Sequence, residues 1–498
     1  MKLQHLFSTI PGIPEHALPD IEVAGIFNDA RKVVSDGLFV AIRGVKVDGH
    51  SFIPDAIAKG ATVLVVEDPN QVPNSFKGFV LRVENTREAL DILSSHYYGD
   101  PAQEMFCVGV TGTNGKTSVT YMVEAILNHA SMPTGVIGTV NHHLLEKIWP
   151  SDMTTPDPIY LQKRLREFKD DGAQAVAMEV SSHALDQHRV DSVPFNTVIF
   201  TNLTRDHLDY HETMEKYLEA KQRLFTDLLW MTDKHPCFAI VNIDDKYGRR
   251  LHVADPAVLW TYGSDSSATL HFKIKSMDFA LTTFDLKTPM GSVEVQLPMS
   301  GTHNVMNAVA AIGAGLSAGI PLEKCAEALS RFTGVPGRLQ SVPNNKNISV
   351  FVDYAHSPDA LENVLTALTS VRESLNSSAK IWTIFGCGGD RDKGKRPLMA
   401  EMALKFSDSV VVTSDNPRTE EPQAIIEDIL KGIPAQDKER VTVMVDRKEA
   451  ILAAIHKAQE GDVVLIAGKG HEDYQIIGTT KFPFSDVQVA ELALQGRA

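Results

Sequence analysis

A multidomain α/β fold is predicted by three features of this sequence: its 498 residues, apolar β-branched runs that alternate with helical-period segments, and a glycine loop placed between one such run and a helix. The length is several times that of a typical single domain, so two to four domains with full cores are expected. Hydrophobic residues make up 43% and charged residues 22%, with 33 Gly and 25 Pro spread along the chain, which excludes low-complexity and disordered classes. The formal charge of −15 argues against a general nucleic-acid or membrane-surface binder, although a small anion can still bind in a local pocket. Cys107, Cys237, Cys325 and Cys387 form no CxxC pair, so neither a disulfide framework nor a zinc site is indicated and a reducing compartment is expected. Pro11 and Pro14 interrupt any N-terminal apolar segment, and no apolar run approaches membrane-spanning length. A cytoplasmic protein without a targeting peptide is therefore expected.

Three blocks are expected, at 1–102, 103–336 and 337–498. The first, a small α/β domain, contains the strand candidates GLFVAI and ATVLVVED. In the second, CVGVT, QAVAMEV, NTVIFTN and CFAIVN are each expected to form a buried strand of a mostly parallel sheet. The third repeats the rhythm with ISVFVDY, KIWTIFG, SVVVTS and DVVLIAG, separated by helical segments such as EPQAIIEDILKGI. The second boundary is set by GVPGR at 334–338, where two glycines and a proline break the pattern.

CVGVT runs into Gly112, Thr113, Asn114, Gly115, Lys116, Thr117 and Ser118 and then into a helical segment, the order that cradles phosphates. Backbone N–H groups would face phosphate oxygens, Lys116 would neutralise charge and the Thr117 hydroxyl would meet Mg²⁺. The generic GxxxxGK[ST] spacing is broken, because Val110 stands where its first glycine should be. A chance Gly-Lys-Thr turn is the competing interpretation, and strand and helix context weigh against it. No guanine-reading NKxD follows, so ATP is expected rather than GTP.

In HETMEKYLEAKQRLFTDLL, Met214, Tyr217, Leu218, Leu224, Phe225 and Leu228 recur at helical spacing, and Lys221 falls on the same stripe. An amine desolvated there is more often neutral, and a neutral amine can react with CO₂. The alternative is a lysine that snorkels to the surface. Asp206, His207, Asp209 and His211 follow one predicted strand and Glu179 lies near the end of another, at the strand ends where α/β proteins collect ligands. Carboxylate and imidazole suit Mg²⁺, and a carbamylated lysine would add an anionic oxygen. Taken singly, Glu179 could be a helix N-terminal charge and His207 a structural histidine.

Ten ordered segments together resemble the Mur ligase family of ATP-dependent amide ligases: TGTNGKTS, TTPDP, MEVSSHALDQHRV, TNLTRDHLDYH, GTHNVMNA, GVPGRLQ, VDYAHSPDAL, GCGGDRDKGKRPLM, SDNPRTEEP and AGKGHEDYQ. The resemblance covers nearly the whole chain and implies a central P-loop-type ATPase domain, a C-terminal Rossmann-like domain and a small N-terminal domain for a uridine nucleotide. It implies Mg²⁺ at Thr117, Glu179, His207 and carbamylated Lys221, with Lys116, Lys221, His207 and Glu179 serving catalysis. ATP would also meet Asn304, Arg338, Asp353 and His356. A UDP-MurNAc-L-Ala-D-Glu substrate would contact Thr154, Thr155, Ser181, Gln187 and Arg189, with Asn28 and Ala30 on the uridine side. Relatives commonly carry Ser between the Asp29 and Arg31 equivalents, where this chain has Ala30, so one hydroxyl contact is missing.

Within the family, Asp415, Asn416, Pro417 and Arg418 resemble the tetrad of meso-diaminopimelate-adding members. Arg391 and Arg418 would grip carboxylates bidentately, and Asp415, Asn416, Gly468 and Glu472 would receive polar and ammonium groups. Simpler roles exist for several of these residues: an Asn-Pro turn, a polar residue opening a helix at Asn304, and an ion pair between Arg338 and Asp353. The implied reaction activates the D-glutamate side-chain carboxylate as an acyl phosphate, which the diamino acid's amine then attacks. Small-molecule substrates, a monomer, and no nucleic acid or membrane partner are expected. Lysine addition is the nearest alternative, followed by a folylpolyglutamate synthase-like ligase, a P-loop switch ATPase and a silent UDP-binding module.

Overall fold

The computed structural model describes residues 1–7, 18–44, 47–375 and 377–496; Pro11 and Pro14 lie outside the described residues. The chain divides into two compact units, one comprising 1–271, 288–290 and 309–325 and the other 272–287, 291–308 and 326–498.

In the first unit, β1 (Gly25–Phe27), β2 (Gly37–Val40), β3 (Ala61–Val66) and β4 (Phe79–Arg82) form a parallel four-stranded sheet in chain order. The helix Thr86–Tyr97 packs Ala89, Leu90 and Leu93 into its core. The larger sheet contains β5 (Phe106–Thr111), β6 (Thr134–Ile137), β7 (His142–Leu144), β8 (Lys147–Trp149), β9 (Ala175–Glu179), β10 (Thr197–Phe200), β11 (Phe238–Asn242) and β12 (Val258–Gly263). Their order is β12-β11-β10-β5-β9-β6-β7-β8. The pairings from β12 to β6 are parallel, and β6, β7 and β8 are antiparallel. The four expected strands, β5, β9, β10 and β11, lie at its centre, where burial on both faces produces continuous apolar runs. The helix Lys116–His129 buries Val119, Met122, Val123, Ile126 and Leu127, at spacings that form one face.

The second unit contains most of the meander strands β13 (Leu270–Met277), β14 (Thr282–Thr288) and β15 (Gly291–Leu297), none of them anticipated from sequence. Its main sheet is built from β16 (Gln340–Ser341), β17 (Ser349–Asp353), β18 (Ile381–Phe385), β19 (Ser409–Val412), β20 (Val441–Val443) and β21 (Val463–Ala467), in the order β16-β17-β21-β18-β19-β20. All pairings are parallel except that of β16 with β17. Helices cover both faces. Leu361, Leu365, Met399 and Ile426 pack on one, and Ala450, Ile451, Val489 and Ala493 on the other. A hairpin of β22 (Tyr474–Ile477) and β23 (Thr480–Pro483) follows. The α/β class with largely parallel sheets is thus present, and in both units the loops after the strands carry many of the residues singled out from sequence.

Candidate active site

In the first unit the phosphate loop leaves β5 at Gly112 (φ 144°) and enters its helix from Gly115 (φ 87°). A side chain at Gly112 would collide with Thr201 Oγ1. Thr201 Oγ1 itself donates to Asn114 O at 2.6 Å, and Asn114 N donates to Asn202 Oδ1 at 3.0 Å, so the loop is braced by the end of β10. Gly112→Ala is expected to cost about 2–4 kcal/mol of stability, since a barred backbone conformation and a steric conflict add. Urea unfolding of the variant would measure it.

Lys116 Nζ donates to Gly112 O and Thr113 O, both at 2.9 Å. Thr117 Oγ1 donates to Glu179 Oε1 at 2.9 Å, and Thr139, a residue the sequence reading passed over, gives Glu179 its N–H at 2.8 Å and its hydroxyl at 3.1 Å. Glu179 is the last residue of β9 and is 1% exposed.

Lys221 is also 1% exposed, in the helix Met214–Met231 that Thr213 caps by accepting from Lys216 N. Its Nζ donates to Gly112 O at 3.0 Å and lies 3.5 Å from Thr111 Oγ1 and 4.6 Å from the Tyr217 ring centroid. The amine therefore points inward and touches the phosphate loop; it does not snorkel. Burial, reinforced by the Lys116 charge, holds its pKa well below the usual lysine range. In the window between that depressed value and the unfolded lysine pKa of about 10.4, the unfolded chain holds a proton that the folded chain lacks. Stability then rises with pH through this window, by up to about 1.4 kcal/mol per unit. In CO₂-depleted buffer, Lys221→Met is expected to remove that slope, which urea titrations at pH 7, 8 and 9 would reveal.

His207 sits in the left-handed region (φ 53°), half-exposed, with Nε2 3.4 Å from Asp206 Oδ2 and its ring edge-on to His183 at 4.9 Å. Burial, then the nearby Lys116 charge, lowers its pKa despite Asp206. His211 bonds Ser182 Oγ at 2.8 Å and is pushed down to about 4 by burial and His183. Among the described residues no three His, Cys, Asp or Glu side chains converge as a ready metal cluster. The set expected from sequence thus has two such ligands, Glu179 and His207, beside the Thr117 hydroxyl and Lys221. Carboxylate, hydroxyl and imidazole donors beside a phosphate loop fit a hard divalent cation.

The expected dipeptide contacts form one hydrogen-bonded chain. Thr155 Oγ1 donates to Glu179 O at 2.8 Å and accepts from Ser181 N at 3.0 Å. Arg189 donates to Thr155 O at 2.9 Å and to Gln187 Oε1 at 2.7 Å, and Gln187 Nε2 donates to Tyr210 Oη at 3.1 Å. Thr154 meets Thr139 at 3.0 Å between hydroxyls. Asn28 is exposed and Ala30 buried, and Arg31 folds back bidentately on Asp29, which it holds at about 2.

In the second unit the loops after β17, β18, β19 and β21 carry most of the remaining residues, while Arg338 precedes β16 and Asn304 lies in the helix Thr302–Ser317. Arg338 does not pair with Asp353 side chain to side chain: Asp353 accepts from Leu339 N at 2.6 Å and Ala355 N at 2.8 Å, and Arg338 lies over the Tyr354 ring at 5.4 Å. His356 contacts Tyr354 O at 2.9 Å, and Asn304 Nδ2 donates to Ser300 O at 2.7 Å. Asn416 Nδ2 donates to Glu472 Oε2 at 2.8 Å, and Lys469, fully buried and unremarked in the sequence reading, reaches Asn416 Oδ1 at 3.1 Å and Glu472 Oε2 at 3.0 Å. Arg418 Nη1 donates to Gly389 O at 2.9 Å, Pro417 is buried, and Arg391 is exposed.

The descriptions "Mur ligase family, catalytic domain", "Mur ligase middle domain" and "Mur ligase, glutamate ligase domain" match residues 22–98, 110–315 and 337–470. The chain belongs to the Mur ligase family. Among similar curated Mur ligases, one from Geobacter metallireducens (strain ATCC 53774 / DSM 7210 / GS-15) is 44% identical over 481 residues, covering 94% of this chain and 93% of that protein. Another, from Geobacillus kaustophilus (strain HTA426), is 42% identical over 498 residues, covering all of both. Both are named UDP-N-acetylmuramoyl-L-alanyl-D-glutamate–2,6-diaminopimelate ligase. A solved structure of a ligase with that name matches with a TM-score of 0.72 at 32% identity, covering 100% of this chain and 99% of that one.

Proposed function

We propose that this Mur ligase uses ATP to join meso-diaminopimelate to the D-glutamate side-chain carboxylate of UDP-MurNAc-L-Ala-D-Glu, releasing ADP and phosphate in peptidoglycan precursor synthesis. The observation that carries the reading is a buried lysine amine hydrogen-bonded to the phosphate loop, with Glu179 bonded to Thr117 beside it. Names of relatives at 42–44% identity over nearly full length support the substrates.

A carboxylate oxygen of the dipeptide attacks the γ-phosphorus of ATP, and ADP leaves. The neutral amine of the diamino acid attacks the resulting acyl carbon, loses a proton and expels phosphate. Loop N–H groups and Lys116 bind the phosphates and offset their charge, while Arg189, Gln187, Ser181 and Thr155 orient the dipeptide. Mg²⁺, bound by Thr117, Glu179 and His207, would neutralise phosphate oxygens. Lys221 reacts with CO₂ to give a carbamate and a proton, which supplies an anionic oxygen in a place where a bare amine supplies none.

The remaining assignments belong to the same reading. Residues 1–102 serve the uridine nucleotide, 103–336 ATP and 337–498 the amino acid. Arg391, Asp415, Asn416, Pro417, Arg418, Gly468 and Glu472 form the diaminopimelate pocket. The enzyme acts as a cytoplasmic monomer. No helix among the described residues is long and apolar enough to cross a membrane. ADP release with UDP-MurNAc-L-Ala-D-Glu and a panel of diamino acids, read by product mass, tests the function. ADP formed without a heavier UDP-peptide would refute it.

A further inference from the structure

We propose that the buried ion pair Arg447–Asp486 is a positioning element that keeps one oxygen of Asp415 open for the distal ammonium of the diamino acid; this rests on the function read above. Both side chains of the pair are fully buried. Arg447 Nε meets Asp486 Oδ1 and Nη2 meets Oδ2, each at 2.7 Å, the bidentate geometry that fixes a guanidinium in one orientation. The same guanidinium donates to Ala467 O at 2.9 Å and reaches Ser414 O at 3.5 Å. These residues immediately precede Gly468 and Asp415, so one cation ties together the two loops that carry the expected ammonium-binding groups.

Charge matching around the pocket is uneven. Glu472 is met by Lys469 at 3.0 Å and by the Asn416 amide at 2.8 Å. Asp415 Oδ1 accepts from Asn416 N at 2.7 Å, but its Oδ2 is buried and accepts no hydrogen bond among the described residues. Arg447 Nη1 stops 3.9 Å from that oxygen. It is held back because Asp486 already takes the guanidinium's two best-placed N–H groups and its charge. Gly468, at φ 119°, puts no side chain against the oxygen, where a Cβ would lie 2.8 Å from Asp415 Oδ2. A buried carboxylate oxygen with no donor is costly, and it gains most from a ligand that brings its own charged donor. An ammonium is that ligand.

Two variants, one at each partner of the pair, test the role. Asp486→Asn keeps the shape but frees the Arg447 charge to close on Asp415 Oδ2, and Arg447→Lys keeps the charge but loses the fork. The readout is the ratio of kcat/KM for meso-diaminopimelate to that for 2-aminopimelate, the same carbon chain lacking one ammonium. That ratio does not depend on how much of a preparation is folded. Wild type is expected to discriminate by at least about 100-fold, because a site built for a polar group rejects its absence strongly. Each variant is expected to lose about tenfold or more of that ratio, with KM for ATP unchanged. A large wild-type ratio preserved in both variants overturns the positioning role, as does a wild-type ratio near one. Wild type that yields no UDP-tripeptide with either amino acid refutes the functional reading itself, and this proposal with it.

Discussion

Lys221→Ala is expected to lower kcat at least about 10³-fold while the protein stays folded, the scale seen when a preorganised charge at a phosphoryl-transfer centre is removed. The lysine is 1% exposed and its Nζ bonds a carbonyl of the phosphate loop, so nothing else in the helix can replace it there. Truncation also leaves a cavity, costing about 2–5 kcal/mol on the scale of large-to-small core changes. A circular-dichroism melt must therefore accompany the kinetics. Lys221→Met separates the two effects: it fills the space and preserves the fold, yet its thioether cannot take up CO₂. Both variants are expected to be inactive. Acetate should restore part of the activity to Lys221→Ala, whose cavity admits a small carboxylate, and none to Lys221→Met. Wild-type rates in Lys221→Ala would remove the lysine from the mechanism.

That lysine was legible in the sequence because its evidence is local. Tyr217, Leu218, Leu224 and Phe225 define a helical face by spacing alone, and a charged residue within it is conspicuous. The central strands were legible for a similar reason: buried on both faces, β9, β10 and β21 read as unbroken apolar runs. The meander was not. β14 alternates buried with less buried residues, while β13 and β15 are buried toward one end only and carry Lys273, Lys275 and Glu294, so no run stands out. β7 and β8 are three residues each, too short for a period to register. In the site, Thr139 and Lys469 lay within or beside conspicuous segments, but their contacts could not be inferred from spacing. Arg447 was invisible because the partner that justifies burying it lies 39 positions away. Burial of a charge is decided by long-range pairing, which periodicity does not encode.

Arg418→Ala should show how much of the amino-acid specificity rests on one guanidinium, with kcat/KM for meso-diaminopimelate falling by about 10²–10³ when a charge-assisted bidentate contact is lost. The residue is held unusually firmly. Its backbone takes the left-handed conformation at φ 52°, its N–H donates to Ile476 O at 3.1 Å, and its carbonyl accepts from Gly478 N at 2.7 Å, so β22 and the turn that follows it fix it. One of its five N–H donors is spent on Gly389 O. Alanine carries the same Cβ and meets the same backbone restriction, so the substitution isolates the side chain. Lysine as substrate ends in an ammonium with no distal carboxylate, so its kcat/KM should fall much less. KM for ATP should stay constant. Arg418→Lys is expected to recover little, because a point charge cannot reproduce the fork. Equal losses for both amino acids would mean that Arg418 only supports the loop through Gly389, and that carboxylate recognition lies elsewhere.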